Sequence, residues 1–221
     1  MNELPSQFRD RHHAGEVLAD KLEHYRGRPN LLVLALPRGG VPVAFEVAQA
    51  LDALLDIFVV RKLGYPGHEE YAMGAIASGS VRVMNPMPGM RVSPDAVAAI
   101  IAREEAELVR REFAYRRKPA VSIAGRTVIV VDDGLATGFT MLAALTAIRQ
   151  QHPAHLCAAT PVCAAETCAT LADKVDEVVC PLIPQPFRAV GLWYEDFPQT
   201  TDDEVHALLE ESFRQHARMH H

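Results

Sequence analysis

Short apolar runs alternate along the chain with segments whose apolar residues recur at helical spacing. The run LLVLAL at residues 31–36 is wholly apolar, as expected of a strand that is buried on both faces of a parallel sheet. Strands of this kind are predicted at 31–36, 56–60, 127–131, 155–162 and 176–182. Since strands alternate with helices, we predict an α/β fold, with an open, mainly parallel twisted sheet that is flanked by helices.

The helical segments are predicted from periodicity and from their start signals. Ser93 followed by Pro94 is a capping residue before a proline at the first helical position, and this helix should run to about Arg117. Between about 63 and 90, Gly, Pro and polar residues predict a flexible loop, in which 71–85 is compatible with short strands. The other helices are predicted at 14–25, 41–53, 141–151 and 164–174, with a closing helix after 205.

Composition limits the class of protein. The 221 residues suffice for one sizeable α/β domain, and 49% hydrophobic with 23% charged residues is the balance of a globular protein. The net charge of −6 disfavours general binding to nucleic acids or acidic membranes. No apolar run approaches the roughly 20 residues of a membrane span, and the polar N-terminal segment has no signal-peptide core. We therefore predict a cytoplasmic protein with small-molecule substrates.

The cysteines carry no recognisable metal or redox spacing. No two of them form a C-x-x-C pair, and each lies in an apolar segment, where cysteine behaves as a small hydrophobic residue. A reactive thiol or a metal site is the alternative. The four residues are Cys157, Cys163, Cys168 and Cys180.

Three unusual loops are predicted at the carboxyl ends of strands. They are PRGG after 31–36, RKLG after 56–60 and DDGLATGFT after 127–131. Open α/β sheets bind ligands beyond the carboxyl ends of their strands. We therefore expect the three loops to share one edge of the sheet and to form one site.

The stretch VIVVDDGLATGFTM, residues 128–141, combines two kinds of chemistry. Its glycines leave backbone N–H groups accessible, its threonines add hydroxyl donors, and the next helix directs its positive end at the loop, which together suit a phosphate. The adjacent carboxylates would repel phosphate and instead suit sugar hydroxyls or a hydrated magnesium ion. The stretch is neither a Walker A loop nor a dinucleotide fingerprint. A ribose that carries a 5-phosphate would bind both parts of the stretch, its hydroxyls at the carboxylates and its phosphate at the loop.

This stretch resembles the phosphoribosyl pyrophosphate signature of the type I phosphoribosyltransferases, an apolar strand, two acids, a short link and Thr-Gly-x-Thr. The resemblance covers most of residues 8–200, and it is nearest to stand-alone bacterial phosphoribosyltransferase-domain proteins. It implies that Asp132 and Asp133 hold the ribose hydroxyls and Mg²⁺, directly or through water. The implied contacts of the donor phosphate are Gly134, Leu135, Ala136, Thr137, Gly138, Phe139 and Thr140.

The PRGG turn offers a cation beside exposed backbone. Arg38 can bind phosphate oxygens in a bidentate fork, and Gly39 and Gly40 expose N–H groups. Alone, this motif could be a surface turn. The resemblance assigns it to the pyrophosphate of the donor.

Two further cations follow the second predicted strand. Arg61 and Lys62 need an anion or solvent, because an unpaired charge beside a buried strand is costly. The resemblance implies that they contact pyrophosphate at the start of a loop that closes over the site. The alternatives are a surface cation pair or a partner for Glu69 or Glu70.

The segment PFRAVGLWYEDF resembles the part of purine transferases that contacts the base. Phe187, Val190 and Trp193 are candidate acceptor contacts in a small hood at about 181–200, and core packing is the alternative for these side chains. Ala136 stands where hypoxanthine-type enzymes carry an acid, so the stretch looks more like the adenine and orotate versions. The acceptor therefore stays open.

These features predict an Mg²⁺-dependent phosphoribosyltransferase. It would transfer 5-phosphoribosyl from phosphoribosyl pyrophosphate to a nitrogen acceptor, with a nucleobase as the leading class, and would release pyrophosphate. The alternative is a non-catalytic sensor that binds the same donor or a nucleotide and signals to a partner. The pair Arg61 and Lys62 favours the enzyme. Dimers are common among members of the family that the chain resembles, so the resemblance also allows a homodimer.

Overall fold

Five parallel strands form the central sheet. The structure is a computed structural model that describes residues 5–79, 81–84, 92–115 and 119–219. The strand order is β2-β1-β6-β7-β8, and every neighbouring pair is parallel. This sheet confirms the predicted fold class. Its strands are β1 (Leu31–Ala35), β2 (Leu54–Ile57), β6 (Thr127–Val131), β7 (His155–Ala159) and β8 (Glu177–Val179).

In the described residues six α-helices flank the strands, and three of them, the first, the third and the last, begin at a side-chain cap. Ser93 Oγ accepts a hydrogen bond from the N–H of Ala96 at 3.2 Å, which confirms the predicted start of the long helix. The first helix begins earlier than predicted, because the Asp10 carboxylate caps it through the N–H of His13 at 2.8 Å. The helices are α1 (Arg11–Lys21), α2 (Gly40–Leu51), α3 (Pro94–Tyr115), α4 (Phe139–Arg149), α5 (Ala165–Ala172) and α6 (Asp202–Met219).

A second, antiparallel sheet occupies the region predicted as a flexible loop. Its strands are β3 (Val60–Tyr65), β4 (His68–Ala77) and β5 (Val81–Met84). The prediction that RKLG is a loop at a strand end was wrong, because β2 already ends at Ile57 and RKLG lies inside β3. The apolar run 56–60 therefore serves two strands of different sheets. Residues 80 and 85–90 of the predicted loop lie outside the described residues.

Side chains of the central strands alternate between two apolar cores. Val33 and Ile129 belong to the core that includes Leu18 of α1 and Val43 of α2. The intervening residues belong to the core on the other face, with α4 and α5. Burial on both faces explains why these strands are apolar throughout. The second group of strand residues is Leu32, Leu34, Val128, Val130, Leu156 and Ala158.

A third apolar cluster joins the N-terminal segment to the hood, residues 181–200. Phe8 and Tyr194 are buried there with Val162, and the ring centroids of Phe8 and Tyr194 are 5.5 Å apart. The N–H of Phe8 donates to the Trp193 carbonyl at 2.8 Å, and the N–H of Glu195 donates to the Phe8 carbonyl at 2.8 Å. The N-terminal segment and the hood therefore meet beside the predicted site.

The cysteines are free thiols, and three of the four are buried. Cys157 lies in the core of the sheet, where burial raises the pKa of its thiol to about 12. A thiol with so high a pKa stays protonated and unreactive near neutral pH. Among residues 5–79, 81–84, 92–115 and 119–219, we find no helix with the length and apolar character of a membrane span.

Candidate functional site

The PRGG turn, residues 37–40, lies directly against the loop that follows β6. Strands β1 and β6 are adjacent, so their carboxyl ends deliver both segments to the same edge. The N–H of Leu36 donates to the Val131 carbonyl at 2.9 Å, and the N–H of Gly40 donates back to the Leu36 carbonyl at 3.1 Å. We refer to residues 132–140 as the acid loop. The two segments lie together, as expected from the parallel pairing.

Two glycines allow this contact because a side chain would not fit. A Cβ atom on Gly39 would lie 2.0 Å from Oδ2 of Asp133. One on Gly40 would lie 2.7 Å from the Val131 carbonyl and 3.0 Å from Cα of Asp132. Gly39 has φ of −58°, which any residue adopts, so space and not backbone conformation requires glycine. The PRGG turn is thus fitted to the two aspartates.

The two aspartates, Asp132 and Asp133, form a closely coupled acid pair. One Asp132 oxygen, Oδ1, accepts the N–H of Asp133 at 2.9 Å. Burial, and then the charge of Asp133, raises the pKa of Asp132 well above its usual range. Burial also raises the pKa of Asp133, although a hydrogen bond from Arg11 opposes that effect. Ligand hydroxyls or a cation would stabilise the ionised pair.

Asp133 is held by two residues that sequence reasoning did not single out. Arg11 Nε contacts Asp133 Oδ2 at 2.8 Å, and the Tyr194 hydroxyl donates to the Asp133 carbonyl at 2.5 Å. Burial raises the pKa of Tyr194, which keeps its hydroxyl protonated as a donor. No local pattern marks Arg11, because its partner lies 122 positions away in the chain.

The middle of the acid loop is anchored to the segment that leads into α5. The N–H of Leu135 donates to the Val162 carbonyl at 2.9 Å, and the Leu135 carbonyl accepts the N–H of Ala164 at 2.9 Å. The Thr167 hydroxyl donates to the Ala136 carbonyl at 2.5 Å. These bonds fix the path of the loop.

The far end of the acid loop leads into α4. Gly138 has φ of 65°, a left-handed conformation that favours glycine, and it is the residue before the helix. Thr137 and Thr140 are exposed, and Phe139 is 37% exposed. The first turn of α4 has N–H groups without intrahelical partners, which is the usual anion-binding feature of a helix start.

The hood approaches the acid loop at Gly134. A Cβ atom there would lie 2.3 Å from Cγ1 of Val190. Phe187, Val190 and Trp193 pack against the third apolar cluster, which is the alternative that the sequence left open. The Trp193 indole N–H is nevertheless buried and has no hydrogen-bond acceptor in the described part of the chain. A buried donor of this kind is a candidate for a ligand contact.

The cations differ in how firmly they are held. Arg38 Nη1 lies 3.4 Å from Oδ1 of Asp202, and the two side chains are 33% and 50% exposed. The Pro37–Arg38 peptide bond is cis. Exposed ion pairs contribute little stability, so Arg38 can exchange this carboxylate for another anion at small cost.

Arg61 is committed to a different partner. Its Nε and Nη2 contact Oε2 of Glu104 on α3 at 2.9 and 2.6 Å, and Glu104 is only 6% exposed. The other Glu104 oxygen accepts Arg103 Nε at 3.0 Å. The side chains of Glu69 and Glu70, the alternative partners, are not among those that the structure describes. Lys62 is exposed and points to the opposite face of β3, since neighbouring strand residues alternate.

Comparisons with known proteins identify the family of this chain. The model of the phosphoribosyl transferase domain family matches residues 10–192. The chain belongs to that family. Two Mycobacterium tuberculosis proteins with a provisional phosphoribosyl transferase name are 43% identical over 213 residues, which are 95% of this chain and 48% of theirs. This phosphoribosyl transferase domain thus spans about half the length of the curated relatives it matches.

Further relatives extend the comparison to a solved structure. TT1426 from Thermus thermophilus superposes on this phosphoribosyl transferase domain with a TM-score of 0.81 and is 43% identical. The match covers 93% of this chain and 98% of that one. A ribose-phosphate pyrophosphokinase from Methanopyrus kandleri is 29% identical over 179 residues, which are 69% of this chain and 62% of that protein.

The acid pair is the part of this domain that suits a metal ion. Among the residues that the structure describes, no three His, Cys, Asp or Glu side chains gather in a way that could hold a metal by themselves. Magnesium commonly takes one or two carboxylates and completes its shell with water and substrate phosphates. Asp132 and Asp133 therefore fit a magnesium ion that arrives with a phosphorylated ligand.

Proposed function

We propose that this chain is a phosphoribosyltransferase that uses phosphoribosyl pyrophosphate and Mg²⁺. The proposal is carried by one observation, the close contact between the PRGG turn and the acid pair. This contact brings a cationic, glycine-rich turn and two carboxylates to one edge of the central sheet, next to a loop suited to phosphate. A sugar with a phosphate at one end and a pyrophosphate at the other requires these three chemistries together.

The donor would lie across the acid loop. The acid pair would bind the ribose hydroxyls, and the N–H groups and threonine hydroxyls of residues 134–140 would bind the 5-phosphate. Arg38 would bind the pyrophosphate, helped by the N–H groups of Gly39 and Gly40. Asp132 and Asp133 would hold Mg²⁺, which would supply positive charge to neutralise the pyrophosphate.

The residues of this chain would act mainly by positioning and electrostatics. The bond from C1 to the pyrophosphate oxygen breaks, and its electron pair leaves with pyrophosphate. The lone pair of the acceptor nitrogen forms the new bond to C1 from the opposite face. Arg38 and Lys62 would stabilise the charge that builds on the leaving group. Arg61 could do so only after it leaves Glu104.

The hood would supply the acceptor contacts. Phe187, Val190 and Trp193 line the segment that meets Gly134, and the buried indole N–H of Trp193 suits an acceptor atom on a ring. Aromatic rings bind flat heterocycles well, so a nucleobase is the leading acceptor class.

A second candidate function is a non-catalytic sensor of the same donor or of a nucleotide. The observation that favours it is the Arg61–Glu104 ion pair, because it occupies one of the two cations expected beyond the PRGG turn. Such a protein would bind the donor without releasing pyrophosphate.

One experiment separates the two functions. Pyrophosphate release from phosphoribosyl pyrophosphate is measured with Mg²⁺ against a panel of purine, pyrimidine and other amine acceptors, and donor binding is measured by calorimetry. Acceptor-dependent release is expected. Tight binding without release would favour the sensor, and the absence of both would contradict the proposed donor site.

A further inference from the structure

We propose that Arg11 is a positioning residue that fixes Asp133 and fastens the end of the hood to the acid loop. The inference rests on the proposed function, since it concerns how the donor site is held in shape. Arg11 lies in the first turn of α1, far in sequence from every motif of the site. Its role follows from what its guanidinium touches.

The guanidinium of Arg11 makes three contacts. Nε lies 2.8 Å from Oδ2 of Asp133, and Nη1 donates to the Pro198 carbonyl at 2.6 Å. Cζ lies 3.8 Å from the centroid of the Phe197 ring, within the range of a cation–π contact. The side chains of Arg11 and Asp133 are only 10% and 15% exposed, so solvent screens the ion pair weakly.

Arginine is the residue type that these contacts require. Its planar guanidinium can donate in two directions while one face stacks on a ring, whereas the ammonium group of lysine is a single point charge. A lysine at this position could keep the ion pair with Asp133. It could not also hold Pro198 and Phe197.

The backbone around Arg11 is fixed independently of the side chain. The Asp10 carboxylate caps α1, and the N–H of Asp196 donates to the Arg9 carbonyl at 2.9 Å. Arg11 therefore starts from a rigid position beside the hood. Its side chain extends to the acid loop, which the bonds of Asp10 and Arg9 do not contact.

The contact makes the two acids unequal. Oδ2 of Asp133 is taken by Arg11 and lies against Gly39, and the Tyr194 hydroxyl holds its carbonyl. Within the described residues, Asp132 accepts the N–H of its neighbour and no side-chain donor. Asp133 is thus held before any ligand arrives, and Asp132 is the acid left for the ligand.

The test compares Arg11→Gln, Arg11→Lys and the control Arg9→Gln. Arg9 is a matched control because its side chain is 66% exposed and its ion pair with Glu16 spans 3.7 Å. Initial rates of pyrophosphate release give kcat and KM for donor and acceptor, and calorimetry gives donor Kd. Arg11→Gln is expected to raise donor KM and Kd by about tenfold, the scale of one lost charge-assisted bond.

The pattern across these variants separates positioning from general damage. Arg11→Lys should recover part of the donor affinity, acceptor KM should change less than donor KM, and Arg9→Gln should match the parent protein. Equal donor affinity in Arg11→Gln and the parent would overturn the inference. So would a loss that falls equally on donor and acceptor.

A double-mutant cycle tests the same contact without any ligand. Unfolding free energies of the parent, Arg11→Gln, Asp133→Asn and the double variant give the coupling between the two side chains. Clear coupling is expected, and additivity would overturn the inference. If the parent protein fails to bind donor, the proposed function is contradicted, while the cycle still decides whether Arg11 fixes Asp133. Arg11→Met, which also removes the charge, replaces Arg11→Gln in the cycle if the latter does not fold.

Discussion

At the scale of single residues, the acid pair carries most of the proposed chemistry. Asp132 and Asp133 are adjacent in the chain, but only Asp133 forms an ion pair with an arginine. A carboxylate that is held in the free protein and one that awaits a ligand should respond differently to substitution.

The variant Asp132→Asn/Asp133→Asn is expected to lose donor turnover. It removes both negative charges while it keeps nearly the same shape, so ribose hydroxyls lose charge-assisted acceptors and Mg²⁺ loses its protein ligands. Pyrophosphate release measures the effect, and circular dichroism checks the fold. Activity equal to that of the parent would refute the assignment of the acid pair.

The single variant Asp132→Asn is expected to raise the Tm of the ligand-free, metal-free protein at neutral pH. Burial raises the pKa of Asp132 above its unfolded value, so ionisation costs the folded state stability once pH exceeds that unfolded value. Below it, both states are protonated and the cost disappears. For a chain of this size, about 1 kcal/mol corresponds to about 2–4 °C in Tm.

Thermal melts of parent and variant across pH, with chelator present, measure this difference. The gain should shrink as pH falls toward about 4. A variant that melts below the parent at neutral pH would show that Asp132 is stabilising when ionised, contrary to the pKa shift.

At the scale of elements, the site depends on close contacts between loops that leave different strands. Gly39 touches Asp133, and Gly134 touches Val190 of the hood. Neither contact follows from a local propensity.

Gly39→Ala is expected to reduce donor affinity by about tenfold or more with little loss of helix content. The added methyl would overlap with the Asp133 carboxylate at 2.0 Å, while alanine is compatible with the φ of −58°. Calorimetry with the donor measures the affinity, and far-UV circular dichroism reports α2. Unchanged affinity would mean that the PRGG turn can move without harm to the acid pair.

Trp193→Phe is expected to raise acceptor KM while donor KM stays nearly constant. The change keeps an aromatic ring in the third apolar cluster and removes an N–H that is buried without an acceptor in the described residues. Loss of an unsatisfied donor should not lower Tm. Initial rates at a saturating donor concentration measure the acceptor KM. An unchanged acceptor KM would assign Trp193 to core packing alone.

At the scale of the whole molecule, an ion pair joins the small antiparallel sheet to α3. Arg61 and Glu104 connect segments that the sequence separates by 43 positions, and the carboxylate is buried. Glu104→Gln should lower stability by about 1–3 kcal/mol, because it leaves the arginine without its charged partner. The neighbouring pair of Arg82 and Glu105 is more exposed, so Glu105→Gln is the matched control and should cost little.

Denaturant unfolding of both variants measures the two costs. Equal effects would show that burial does not distinguish the pairs. If Glu104→Gln also raises donor affinity, Arg61 is available to the pyrophosphate once it is released. If donor affinity is unchanged, Arg61 serves the fold.

Local sequence determined the parts of this protein whose physics is local. The apolar strands, the cap at Ser93, and the order of acids, glycines and threonines after β6 could all be read from residues within a few positions of each other. Parallel pairing then placed PRGG beside the acid loop, since the ends of adjacent parallel strands must meet.

Only the tertiary structure decided which side chains complete the site and which are occupied elsewhere. The run 56–60 was divided between two sheets when β2 paired with β1 and β3 paired with β4, and Arg61 was drawn to Glu104 by the packing of α3. Arg11 reached Asp133 because the N-terminal segment packs against the hood. Such contacts depend on long-range packing and on burial, which no local pattern of residues encodes.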